Sequence, residues 1–230
     1  MLLLFDIDAT LIKLKNGVGR AVLRQVFTDT YRADPLEAMH GYSFSGRTDR
    51  QIVLDLARAL GIHDSLANDG FPIYQLELER LMLESIDASC LDLLEGVHHT
   101  LEAAAAHHHL ALVTGNIRRI AFHKLAVGGI DKFFEVGAFG CEHANRSLLP
   151  PLAVSRFNNL HGTSYAARSA VVIGDAPGDV TCATENGMAT VAVATGEFST
   201  SQLLQAGAAI ALPSLADASA FLDALESLQT

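Results

Sequence analysis

The chain opens on an apolar run without a polar face, Leu2-Leu3-Leu4-Phe5. Such a run fits a short strand buried on both sides. Three similar runs follow much later: Leu110-Ala111-Leu112-Val113, Ala170-Val171-Val172-Ile173 and Thr190-Val191-Ala192-Val193. Each ends in a small or polar cluster, TGN, GDAPGD and ATGE. Helical spacing fills the gaps, as from Ile117 to Val127 and from Val180 to Asn186. Strand alternating with helix predicts an α/β chain with a doubly wound parallel sheet. Between about Lys13 and Leu94 the alternation stops. Apolar residues there recur at helical intervals, at Val18, Val22 and Val26, at Ile52, Leu56 and Leu60, and at Leu76, Leu81, Met82 and Ile86. The pattern predicts a helical insert over 13–94, placed after the first strand of a core made of 1–12 and 95–230.

Composition narrows the function classes. Half of the 230 residues are apolar and the mean hydropathy is +0.26, yet no run reaches the length of a membrane span. The net charge of -10 argues against nucleic acid as a partner and against an anionic lipid surface. It leaves room for an anionic substrate, because a bound metal inverts the local field. Cys90, Cys141 and Cys182 are scattered and odd in number, which reads as reduced thiols rather than a disulfide framework. The opening MLLLFDIDAT lacks a basic segment and meets acid at the sixth residue, so no signal peptide is expected and a cytoplasmic location is the default. Composition says nothing of oligomeric state. The histidines at 98, 99 and 107–109 are adjacent rather than one turn apart, so they are expected at the surface or at helix ends, not around one ion.

Three polar clusters follow the buried runs. Asp6 and Asp8 stand at i and i+2 just after the first, so both carboxylates face one side at the strand's carboxyl end, where open α/β sheets bind ligands. Gly174-Asp175-Ala176-Pro177-Gly178-Asp179 follows another, and its tight turn can bring Asp175 beside the first strand. Hard oxygen ligands from two strand ends suit Mg²⁺. Thr114-Gly115-Asn116 lies between a strand and a helix, where a hydroxyl and free N–H groups form an anion site. Each has a plainer reading: a solvated loop, an acidic turn with Asp179 near a helix start, a helix cap. Their joint occurrence at successive strand ends favours a catalytic constellation.

That constellation resembles the haloacid dehalogenase-like hydrolases over essentially the whole chain. Asp6-Ile7-Asp8-Ala9-Thr10-Leu11 is similar to the family's first motif, Thr114 to its second and Gly174-Asp175-x-x-x-Asp179 to its fourth. Glu95-Gly96-Val97 resembles the return from a helical cap to a Rossmann-like core. The nearest resemblance is to the phosphoglycolate phosphatase-like branch. It implies a Mg²⁺-dependent phosphatase acting on a small phosphorylated metabolite. Asp6 would be the nucleophile and Asp8 the acid/base. Mg²⁺ would be held by Asp6, Asp175 and the backbone carbonyl of Asp8. Thr114, Gly115 and Asn116 would bind phosphate, and Asp179 would orient a cation or a metal-bound water.

Two departures stand out. Ala9 replaces a usual glycine, and no lysine lies in the interval expected for the third motif. Arg146 is the positional substitute, with Arg156 and Arg168 behind it. In the insert, Ser45-Gly46-Arg47-Thr48-Asp49 reads either as a helix start or as a selector, with Arg47 reaching a substrate carboxylate or second phosphate. A sugar phosphomutase of the same fold and a non-catalytic regulatory protein are the alternatives.

Overall fold

The computed structural model describes residues 1–229. Its strands are β1 (Leu2–Phe5), β2 (Ile12–Leu14), β3 (Leu91–Leu93), β4 (His109–Thr114), β5 (Gly137–Phe139), β6 (Ala170–Gly174), β7 (Ala189–Val193) and β8 (Ile210–Leu212). Its α-helices are α1 (Val18–Tyr31), α2 (Leu36–Met39), α3 (Asp49–Ala59), α4 (Asp64–Ser85), α5 (Val97–Ala105), α6 (Arg118–Val127), α7 (Leu149–His161), α8 (Pro177–Thr184), α9 (Thr200–Gln205) and α10 (Ala218–Ser227). No described helix is long and apolar enough to cross a membrane.

Six strands form one parallel sheet in the order β5-β4-β1-β6-β7-β8. The expected doubly wound parallel sheet is present. Side chains of its strands alternate between two separate cores, as a period of two requires. Leu3, Phe5, Leu112 and Ile173 join one face, while Leu2, Leu4, Ala111, Val113 and Val172 join the other. Both faces are therefore covered, which is why the sequence shows unbroken apolar runs instead of alternation. The register places Phe5 opposite both Leu112 and Ile173, so Asp6, Thr114 and Asp175 emerge together at the carboxyl edge.

Helices α1 to α4 occupy the chain between β2 and β3. These two strands pair antiparallel, Ile12 with Leu93 and Leu14 with Leu91, and make a ribbon where no strand was expected. Three residues are too few to show a period, and Lys13 and Asp92 point outward. Within the insert α1 packs along α4 through aromatic contacts. Phe27 meets Tyr31 at 4.7 Å between ring centroids, and both face Tyr74, which is fully buried. Gly70 lies directly under the Tyr31 ring, where a Cβ would collide. All three cysteines are free thiols.

Ala9 has φ of 57°, a left-handed conformation that a Cβ disfavours. It is held there because its N–H donates to the Ile12 carbonyl at 2.7 Å and its own carbonyl accepts from the Thr195 hydroxyl. The usual glycine at this position would adopt the same turn without strain. Ala9→Gly is therefore expected to stabilise the fold by about 1 kcal/mol. Equilibrium unfolding in denaturant checks this, and a destabilised variant would show that the methyl group packs more than it strains.

Candidate active site

Three carboxylates converge at the carboxyl edge of the sheet. Asp6 follows β1 and its N–H donates to the Ile173 carbonyl at 2.9 Å. Asp175 follows β6, and Asp179 sits in the first turn of α8. One oxygen from each of Asp6, Asp175 and Asp179 lies within 4.8 Å of the others. All three residues are buried. Arg146, carried on a short 3₁₀ turn before α7, reaches into this cluster. Its Nη2 donates to Asp179 Oδ1 at 2.5 Å, to the Val113 carbonyl at 3.4 Å, and lies 3.3 Å from Asp6 Oδ1. Asp179 Oδ2 accepts the Ala176 N–H at 3.1 Å, which fixes the turn between β6 and α8. Gly174 must be glycine here, because a Cβ would run into the Asp179 carboxylate.

One positive side chain does not neutralise three buried acids. Burial, followed by the charges of Asp179 and Asp6, pushes Asp175 up to about 9. Burial raises Asp179 to about 6 despite Arg146 beside it. Asp175 Oδ1 accepts the Thr10 hydroxyl at 3.4 Å, while its Oδ2 is buried without any partner. An orphaned carboxylate oxygen beside a second carboxylate is what a hard divalent cation requires. The donor set therefore fits Mg²⁺ at Asp6 and Asp175. The Asp8 carboxylate is engaged elsewhere, so from that residue only the backbone carbonyl is a candidate ligand.

The raised acids set a direction for stability. Above about pH 4 the unfolded chain loses the protons that folded Asp175 and Asp179 still hold, so cation-free protein weakens as pH rises through the folded values of about 6 and about 9. A bound cation replaces those protons. In chelator, Tm should fall between about pH 5.5 and about pH 8.5, and Mg²⁺ should raise Tm more at the higher pH. Equal melting with and without Mg²⁺ at both pH values would remove the cation from the site.

A second cluster adjoins the first. Asp8 accepts from Lys124 Nζ at 2.8 and 2.7 Å and from the Asn116 side-chain amide at 2.7 Å. Lys124 Nζ also donates to Asn116 Oδ1 at 2.6 Å, and the Asn116 amide donates to Thr114 Oγ1 at 2.8 Å. Lys124 is only 4 % exposed. Sequence reading placed no lysine at the site, because Lys124 lies well before Ile173. Its signal was different: Ile120, Ala121, Lys124 and Leu125 form the buried stripe of α6, and a lysine on an apolar stripe needs a partner. Thr10 was likewise missed as a partner of Asp175.

The insert closes over these clusters through main-chain contacts. Thr48 caps α3 by accepting the Gln51 N–H at 3.0 Å, and its hydroxyl donates to the Ala144 carbonyl at 2.9 Å. The Asp49 N–H donates to the Gly115 carbonyl at 2.8 Å, and the Arg50 N–H to the Gly140 carbonyl at 3.3 Å. The Asp49 carboxylate, pushed up to about 6 by burial, accepts the Ile117 N–H at 2.9 Å. At Gly115 a Cβ would strike the Arg47 carbonyl, so this close approach needs glycine.

A cavity of about 240 Å³ lies between insert and core. Asp6, Asp8, Gly115, Asn116, Arg146 and Asp175 line its core side. Thr114, fully buried, and Asp179 stand behind that wall. Arg47 also borders the cavity, but its guanidinium donates to Asp55 at 2.8 Å and to the Ser43 carbonyl at 3.1 Å, and it lies over the Tyr42 ring. Arg156 is bound to Glu142, away from the cavity, and the histidine tract lies around the start of β4. Among the described residues, Asp6, Asp175 and Asp179 are the one group of His, Cys, Asp or Glu arranged to hold a metal.

Comparison with known proteins agrees with this layout. Residues 3–193 match the model of the family described as haloacid dehalogenase-like hydrolase. None of the curated proteins matches the chain. Among solved structures, a "predicted phosphatase" from Clostridium acetobutylicum superposes with a TM-score of 0.66 at 18% identity, over 100% of this chain and 98% of that one. A "putative phosphoglycolate phosphatase" from Lactobacillus plantarum gives 0.64 at 19% identity, over 98% and 97%. A "putative beta-phosphoglucomutase" from Thermotoga maritima gives 0.60 at 22% identity, over 99% of both chains. At such identities the three structures share the fold with this chain. The match to the family model spans both acidic strand ends, and the chain belongs to the haloacid dehalogenase-like hydrolases.

Proposed function

We propose that the chain is a Mg²⁺-dependent phosphatase that cleaves a small phosphate monoester through an aspartyl-phosphate on Asp6, with the helical insert as its cap. One observation supports this most: the unpartnered Asp175 oxygen and Asp6 stand together on the core wall of the cavity, with buried Arg146 against Asp6. Mg²⁺ on Asp6, Asp175 and the Asp8 carbonyl would neutralise phosphoryl oxygens and lower the charge that an entering ester must overcome.

The remaining work falls to the chain's own groups. Asp6 attacks phosphorus, the bond from phosphorus to the ester oxygen breaks, and Asp8 gives that oxygen its proton. Water then attacks the aspartyl-phosphate, Asp8 takes the proton back, and inorganic phosphate and an alcohol leave. Lys124 and Asn116 hold the Asp8 carboxylate in one orientation. Arg146 places positive charge beside Asp6, where negative charge accumulates on the phosphoryl group. The Gly115 N–H completes the phosphate cradle, and the Thr114 hydroxyl behind the wall accepts the Asn116 N–H and side-chain amide and so fixes that turn. The insert excludes water while the transfer occurs.

The test is release of inorganic phosphate from phenyl phosphate. Activity should require Mg²⁺, vanish in EDTA and return on adding Mg²⁺ back. Ca²⁺ should replace it poorly, because its larger and looser shell misplaces the phosphoryl group. Full activity after exhaustive chelation would refute the metal-dependent reading.

A further inference from the structure

We infer that the leaving group accepted by this site is apolar and uncharged, a short alkyl or aryl group rather than a sugar or a carboxylic acid. The inference rests on the phosphatase reading and adds the class of ester. The core side of the cavity is polar, and the insert contributes Arg20, Ser45, Arg47 and Asp49, but the rest of the facing wall is apolar. Leu14, Leu23, Ile52, Leu78 and Met82, contributed by β2, α1, α3 and α4, form that wall together with Ile120 of α6. All except Leu14 are buried. A sugar placed there would bring hydroxyls to a surface without hydrogen-bond partners, and each hydroxyl buried unpaired works against binding.

A second anionic group would need a free cation, and the cations around the cavity are engaged. Lys124 has three ammonium protons and three close acceptors, the two Asp8 oxygens and Asn116 Oδ1. Arg146 is balanced by Asp179 and Asp6 through Nη2, and although its Nε has no partner, that atom is buried. Arg47 is braced by Asp55 and the Ser43 carbonyl. Arg20, exposed at the rim, donates to the Tyr42 carbonyl and lies over the Phe44 ring at 4.6 Å. The remaining charged side chain on the insert side is an acid, Asp49, which repels a second anion. Arg47 thus ties the Ser43–Asp55 segment together instead of reading the substrate.

Steady-state kinetics on ethyl, propyl and butyl phosphate, phenyl phosphate, glycerol 3-phosphate and 2-phosphoglycolate test the inference. With Mg²⁺ present, kcat/KM should climb about fourfold for each added methylene that enters the apolar wall. Butyl and phenyl phosphate should exceed glycerol 3-phosphate and 2-phosphoglycolate by about tenfold or more. Met82→Lys, which places a cation in the wall, should lower the butyl phosphate rate and raise that of 2-phosphoglycolate. A flat alkyl series, or a wild-type preference for either polar ester, overturns the inference and leaves the phosphatase intact. Release of phosphate from none of these esters overturns the phosphatase reading, and the inference with it.

Discussion

Asp6→Asn will silence phosphate release while making the protein harder to unfold. The amide is isosteric with the carboxylate, and the backbone bond from Asp6 to Ile173 is untouched, so the sheet keeps its register. A neutral amide does not attack phosphorus, and loss of a covalent nucleophile removes roughly 10⁴-fold or more of the turnover. The gain in stability follows from the neighbours. Asp6 is one of the charges that raise Asp175 and Asp179, so deleting it relieves repulsion among buried acids at neutral pH. The loss of one contact to Arg146 is small beside this, because Arg146 keeps Asp179. Tm measured without metal should rise in the variant, while activity measured with Mg²⁺ should fall. Appreciable steady-state turnover in the variant would sink the assignment of the nucleophile.

Arg146→Met has the largest expected cost to folding. It leaves Asp179, fully buried, without its ion pair and leaves three acids in a pocket with no cation among them. Breaking one side of a buried pair costs about 3–5 kcal/mol. For a chain of this size that lowers Tm by roughly 6–20 °C. The loss should shrink as pH falls below the value of about 6 that Asp179 has even with Arg146 present, because a protonated acid needs no partner. Arg146→Lys restores the charge without the planar fork and should recover part of the stability. Denaturant unfolding at about pH 5 and about pH 8 reads both effects. A pH-independent loss would show that Arg146 acts by filling space, and no loss would show that the cluster does not depend on its charge.

The most legible parts of the sequence were those governed by burial on two sides. β1, β4, β6 and β7 stand out as apolar runs because nothing polar survives on either face of a central parallel strand. The edge strands β5 and β8 and the ribbon strands are three residues each, shorter than one repeat of any pattern. The polar clusters were legible because chemistry at the carboxyl edge needs residues at the end of a strand or directly after it, and Asp6, Thr114 and Asp175 are such residues. Lys124 was not, because helix α6 carries it back to the edge from a position that motif spacing does not index. The partners of Arg47 were equally hidden: Asp55 lies two turns along α3, and which anion an arginine takes is decided by the packing of that helix against the loop. The cation of the acidic site, Arg146, was named from its place in the chain order, and the turn that carries it leads into the buried start of α7.

The β2–β3 ribbon also bears on how such a chain can be rebuilt. The insert leaves the core at Leu14 and returns at Leu91, and these residues are opposite each other in the ribbon, so its two ends are about one strand spacing apart. A two-residue hairpin turn spans that gap. Residues 15–90 thus leave and rejoin the rest of the chain at adjacent positions, although Thr48, Asp49 and Arg50 also bond to Ala144, Gly115 and Gly140. The proposed nucleophile and cation ligands, Asp6 and Asp175, lie outside this segment, while most of the apolar wall lies inside it. Recombination at both ends of the segment would then trade one alcohol specificity for another, with the proposed phosphoryl-transfer residues inherited unchanged.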